Sequence, residues 1–326
     1  MSSVHVNFHI TQGCFLILML FFSLCFRLNM SAVFAKWQKK APKLKVGRKS
    51  ERQLLSFSVK IKAKMKSRPT GISVAHNGDY IITDYVDKCV KIFSKKGTLK
   101  KEIGQGHLKR PWNAVMTLKG EIAVSDPGTP DVKLFTAQGR YLKSLNFVTN
   151  FQDPYGLALT PSGDILVADK GANCIYIYND EGFMMGSCKP HEEDTIVQWP
   201  QYVTCDLDRN ILLTDYPNHM LYCLSPGNGA VRYRSKGSGT EPGQFVCPQG
   251  VVVDQHGNVL VADNANDRIQ MLLAGDAEQG AWVDAVNGDD GLEGPEAITI
   301  NAEGQLVVTE GAKGFVKVFK YDTHVH

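Results

Sequence analysis

Eight side chains are the first candidates for chemistry: Tyr85, Trp112, Tyr155 and Tyr216, together with Lys88, Arg110, Lys170 and Arg268. Aromatic rings beside cations suit stacking of unpaired nucleobases, and they equally suit anchoring of a protein partner. A single such ring can also pack between neighbouring elements, as Trp112 and Tyr155 could. Covalent chemistry is less well served. No Ser-His-Asp set and no pair of carboxylates falls into register with these residues; Glu296 is the one acid at their phase, and His219 is a lone loop histidine. The eight cysteines form no C-x-x-C pair and no Cys/His cluster at ligand spacing, which sets aside a structural zinc module. The acidic, glycine-rich stretch 276–296 matches no calcium loop. Nothing here asks for a metal or a cofactor, and recognition is expected rather than catalysis.

What brings the eight residues together is a repeat. A proline recurs six times (Pro69, Pro111, Pro154, Pro200, Pro248, Pro295) at intervals of 42, 43, 46, 48 and 47 residues. Nine residues on stands Gly78, Gly120, Gly163, Arg209, Gly257 or Gly304, and fifteen on stands Asp84, Asp126, Asp169, Asp215, Asp263 or Glu310. Each unit alternates apolar and polar residues with period two, as in 250–254 (GVVVD), 258–263 (NVLVAD) and 268–272 (RIQML), which reads as short strands. The glycine fits a tight turn that requires positive φ. The acid closes the second strand, where its carboxylate can accept turn amides. About 45 residues carrying three or four strands is the size of a propeller blade. The sixth unit ends one strand short, and residues 55–65 alternate in the same way, so roughly 55–62 is expected to supply its fourth strand and close the ring. The fold class is therefore all-β, a six-bladed propeller over 54–326.

The repeat text, for instance 248–270 (PQGVVVDQHGNVLVADNANDRIQ) and 68–93, resembles the NHL repeat. More narrowly, 54–326 is similar to the C-terminal propeller of the tripartite-motif (TRIM-NHL) proteins; the linker 237–245 (GSGTEPGQF) before unit five adds to the likeness. Unit four departs from the pattern with Arg209-Asn210 at its turn, and unit two with Pro127-Gly128-Thr129-Pro130 in its b–c loop. The resemblance implies a non-catalytic recognition or scaffold module that binds ubiquitination substrates on one propeller face. Its alternative is single-stranded RNA binding and post-transcriptional regulation. Relatives carry RING and B-box zinc modules, for which this sequence has no ligand spacing, so ubiquitin transfer by that route is not expected of it.

In an antiparallel four-stranded blade the d–a and b–c loops share a face. The residues just after each proline and just after each acid thus ring one mouth of the channel, and the face they form carries the eight candidates. Charge favours a protein partner. Residues 67–120 carry a net +6, with Lys88, Lys91, Lys95, Lys96, Lys100, Lys101, Lys109 and Arg110, whereas 121–326 carry −15. Phosphate binding needs clustered cations on one surface, and several of these lysines fall in a c–d turn on the opposite face. Residues 1–53 form a hydrophobic and then basic tail, expected to be disordered or a weak membrane anchor. Its apolar run 14–26 is shorter than the roughly 20 residues that span a bilayer, although 10–28 could pass as a tilted span. Translation from Met30 and secretion are the other readings. With no cysteine pair in the repeats placed to bridge, a cytoplasmic protein is expected, or one anchored with its propeller in the cytoplasm.

Overall fold

The computed structural model describes residues 51–59, 67–145, 150–190, 197–274 and 281–323. The tail expectations, including 10–28, and the part of the closing strand beyond residue 59 lie outside them. Strand β1 covers Gln53–Ser58. Blade one is β2 (Pro69–Val74), β3 (Tyr80–Asp84), β4 (Cys89–Phe93) and β5 (Leu99–Ile103). Blade two is β6 (Ala114–Met116), β7 (Glu121–Asp126), β8 (Asp131–Thr136) and β9 (Tyr141–Ser144). Blade three is β10 (Pro154–Leu159), β11 (Ile165–Asp169), β12 (Cys174–Tyr178) and β13 (Met184–Cys188). Blade four is β14 (Pro200–Cys205), β15 (Ile211–Asp215), β16 (Met220–Leu224) and β17 (Val231–Arg234). Blade five is β18 (Pro248–Val253), β19 (Val259–Asp263), β20 (Arg268–Leu272) and β21 (Trp282–Val286). Blade six is β22 (Pro295–Ile300), β23 (Leu306–Glu310) and β24 (Phe315–Phe319), with β1 as its outermost strand. The all-β six-bladed propeller read from the repeat is the observed architecture.

Each sheet is an antiparallel meander, and the innermost strands of successive blades pack around a central channel, blade one against blade six included. Five of the six prolines open an innermost strand, where a missing N–H costs no ladder bond. Blade two is the exception, its first strand starting three residues after Pro111. Second strands such as β3, β11 and β19 are buried throughout, because neighbouring blades cover both their faces, and their sequences are accordingly unbroken apolar runs. Outer strands such as β5 and β17 are half exposed, and β17 keeps the alternation.

The turn after each first strand shows why glycine recurs there. The five glycines take φ between 72° and 90°, and Arg209 adopts 66° in the same place. A second left-handed position follows each acid by four residues: Lys88, Asn173, His219, Asp267 and Gly314 have φ between 48° and 73°. Blade two has Pro130 there, whose ring forbids positive φ, so its b–c loop takes another form.

Antiparallel pairing joins β1 to β24, with Leu55 opposite Val318 and Phe57 opposite Val316. The Phe57 ring reaches into blade one, 5.9 Å from Tyr80 and 5.1 Å from Phe93. The cysteines of the described residues are all free, and burial raises the Cys89 and Cys223 thiols to about 12. Among the described residues no helix is long and apolar enough to cross a membrane.

Candidate recognition face

The repeat acid builds the mouth of the channel. Asp126 accepts the Lys109 and Arg110 amides (2.9 and 2.7 Å), Asp169 those of Gln152 and Asp153 (2.7 and 2.8 Å), and Asp215 those of Gln198 and Trp199 (2.8 and 3.2 Å). Asp84, Asp263 and Glu310 each accept an equivalent amide, from Arg68, Val246 and Glu293. One carboxylate thus staples the incoming chain to the end of the second strand in all six blades. It thereby fixes the residue before each proline: Arg68, Arg110, Asp153, Trp199, Cys247 or Gly294.

These acids are buried, and their neighbours decide how they titrate. Burial alone would raise Asp84, yet the Lys91 ammonium at 2.7 Å and the Ser67 hydroxyl at 2.6 Å outweigh it and hold the carboxyl below its ordinary value. Asp126 is likewise held low, against burial, by the Arg110 amide and Lys133. In blades four, five and six burial prevails, and Asp215, Asp263 and Glu310 lie above the ordinary value.

An arc of rings and cations runs across the mouth from blade one to blade four. The Arg68 guanidinium lies 5.8 Å from the Tyr85 ring centre and 5.7 Å from that of Trp112. Trp112 meets Tyr85 edge-on at 6.2 Å and Tyr155 at 4.5 Å. Beyond Tyr155 the Lys170 ammonium sits 4.7 Å from its ring and 4.1 Å from that of Trp199. Cation–π attraction at such spacing contributes about 0.5–2 kcal/mol, more as water is excluded. Burial pulls the Lys170 pKa down, and nearby Asp153 only partly opposes it. Tyr85 and Tyr155 are half-buried, Trp199 is 38% exposed, and Trp112 is nearly covered.

Below the arc, Tyr202 bridges the channel. Its hydroxyl donates to the Thr70 carbonyl at 2.6 Å, joining blade four to blade one on the far side of the ring. Under this bar lies a cavity of about 160 Å³ whose lining includes Ile72, Leu157, Val203 and Val251. Glu296 sits beside the bar and binds Arg68 at 3.0 Å. Burial raises the Glu296 carboxyl although Arg68 pulls the other way, and Glu296 in turn keeps the guanidinium charged. A Cβ on Gly311 would come within 1.7 Å of the Glu296 carboxylate, so glycine there leaves this acid its place.

Four of the residues singled out in sequence, Tyr85, Trp112, Tyr155 and Lys170, come together in the arc. Arg110 flanks it, half exposed, donating to the Pro127 carbonyl at 3.0 Å and standing 3.9 Å from Asp153. The Tyr216 side chain is engaged with Cys247, and burial raises its phenol. Lys88 is exposed in the b–c turn of blade one. Arg268 is placed differently from the sequence expectation of an open cation. It is buried, bonded to Asp263 at 2.8 Å and donating to the Gln244 carbonyl at 3.1 Å, where it holds the 237–245 linker in place. Of the blade-one lysines, Lys91 is fully buried and Lys100 is paired with Asp79 at 2.7 Å. Arg68, Trp199 and Tyr202 belong to the site and were not singled out; the first two share the position before the repeat proline. Among the described residues no three His, Cys, Asp or Glu side chains gather as a metal site would require.

The NHL repeat model matches residues 151–178 and 245–271, in blades three and five. Human E3 ubiquitin-protein ligase TRIM32 is 23% identical over 290 residues, covering 79% of this chain and 42% of that protein. Human E3 ubiquitin-protein ligase NHLRC1 is 25% identical over 285 residues, covering 78% of this chain and 67% of that one. The chain thus spans less than half the length of TRIM32. Among solved structures, a catalytically inactive virginiamycin B lyase from Staphylococcus aureus with quinupristin superposes with a TM-score of 0.59 at 17% identity, over 81% of this chain and 87% of that one. At that identity the likeness is one of fold. Six units in one phase, the repeat matches within them and the two ligase relatives identify the chain as a six-bladed propeller of NHL repeats, homologous to the NHL domains of TRIM32 and NHLRC1.

Proposed function

We propose that the chain is a protein-recognition module whose contact surface is the arc from Arg68 to Trp199, and that its partners are proteins destined for ubiquitination. The carrying observation is that partly exposed rings (Tyr85, Tyr155, Trp199) and the Lys170 ammonium adjoin one another on one mouth of the channel. Rigid aromatic anchors with a cation among them supply most of the binding energy at protein interfaces. The rigid blades hold them at little conformational cost. The ligase names of the relatives support the second half of the reading.

The test is capture from a cell extract by the full chain and by the triple variant Tyr155→Ala, Lys170→Glu, Trp199→Ala. Loss of captured proteins by the variant, with retention by Lys96→Ala in the exposed blade-one c–d turn, is the expected result. Equal capture by wild type and triple variant would reject the arc as the contact surface. Accumulation of the captured proteins when the chain is depleted from cells is the further expected outcome.

A further inference from the structure

We infer that the arc takes an acidic peptide segment, with one Asp or Glu side chain of the partner seated on the Lys170 ammonium between the Tyr155 and Trp199 rings. This rests on the protein-recognition reading above and names the chemistry of the partner. One donor in the arc is unmet. The Lys170 ammonium, half-buried between two rings, has no hydrogen bond or ion pair with any described residue. On the other side of Tyr155, the Trp112 indole N–H is turned to the Tyr202 hydroxyl and is buried, so it offers a partner nothing. An ammonium has three protons to place, and it loses solvation when a partner covers it. Such a partner must bring acceptors. A carboxylate is the acceptor that also cancels the charge, and charge-assisted hydrogen bonds are the stronger kind. The rings alongside suit an apolar neighbour of that acid.

Most of the other cations around the arc are spent, which favours a peptide over a nucleic acid. Arg68 is paired with Glu296, Arg268 with Asp263, and Lys91, Lys133 and Lys317 with the repeat acids of their own blades. Arg110 is shared with the Pro127 carbonyl and Asp153. Tracking a phosphodiester backbone needs several uncommitted cations in a row. The arc offers one and part of a second, with the acids Asp153 and Glu296 beside them. Burial lowers the Lys170 pKa, and a bound carboxylate would raise it again, so binding should be accompanied by proton uptake at alkaline pH.

The experiment is selection of random dodecapeptides displayed on phage by the immobilised full chain, followed by affinity measurement of the selected peptides. The expected result is an Asp or Glu at a fixed place beside an apolar residue. Such peptides should bind Lys170→Met about tenfold more weakly and Lys170→Arg within about threefold, a tenfold loss being the removal of one modest charge-assisted contact. Lys96→Ala should bind as wild type. Selected peptides without an acidic position, or equal affinity for Lys170→Met, overturn the inference and leave the protein-recognition reading standing. Failure to select any peptide, while the triple variant still loses its captured proteins, does the same. Failure to select any, with capture unchanged in the triple variant, overturns both. Lys170-dependent binding of a single-stranded oligouridine in place of any peptide overturns the inference in favour of nucleic acid.

Discussion

Arg209 shows how one backbone dihedral is written into the repeat. Five blades meet the left-handed turn with glycine, and Arg209 meets it at φ 66° with an exposed side chain. An L-residue there costs about 1–2 kcal/mol, of which glycine would return roughly 0.5–1 to the entropy of the unfolded chain. Arg209→Gly is therefore expected to stabilise the protein by about 0.5–1 kcal/mol, visible as a melting midpoint raised by about 1–3 °C; a lowered midpoint would contradict it. The proline, turn and acid positions were legible because each answers a demand made within its own blade. Arg68 and Trp199 were not, because nothing local requires an arginine or a tryptophan there: five different residue types precede the six prolines. Their roles appear only when the ring brings Arg68 to Glu296, 228 residues away, and Trp199 to Lys170 in the next blade. Arg268 misled for the complementary reason. Its sequence position is that of a mouth residue, and only the folded linker shows that it is already occupied.

Within a blade, the second-strand acid and the third-strand residue seven positions later form a unit with a choice of chemistry. Blades one, two and six place a lysine there (Lys91, Lys133, Lys317), and blade five a glutamine helped by Arg268. In blade one the unit is shut away from water: Lys91 touches Asp84, Asp87 and the Val59 carbonyl. Removing its charge as Lys91→Met would strand Asp84, a loss of about 3–5 kcal/mol at neutral pH. The pH dependence has a definite sign. The Asp84 pKa is depressed in the folded state, so its contribution is present above the unfolded value of about 3.9 and disappears as pH falls through the lower folded value. Wild type and Lys91→Met should therefore differ widely in denaturation midpoint at pH 7 and converge towards pH 3. A gap independent of pH would show that packing rather than charge makes the difference.

At the scale of the whole molecule, the sixth sheet is assembled from both ends of the propeller sequence. Strand β1 covers the edge of β24, its Phe57 packs on blade one, and the buried Val59 donates to the Gly314 carbonyl and accepts from Lys91. A chain beginning at residue 67 would leave the outer edge of β24 unpaired and lose the Leu55, Phe57 and Val59 contacts, on the order of 4 kcal/mol of apolar burial. Concentration-dependent association in size-exclusion chromatography and a lower melting midpoint are expected; a monomer as stable as the full chain would refute this. The same pairing sets how the molecule answers to force. The chain enters β1 at Gln53 opposite the point where it leaves β24 at Phe319, and the Lys320 amide donates to the Arg52 carbonyl just beyond. A pull applied through the two flanking segments loads these rungs one after another, like a zipper drawn from its open end, instead of shearing the row together. Under tension the ring would open at this seam first, by peeling, while the five hairpin-linked blades stay whole.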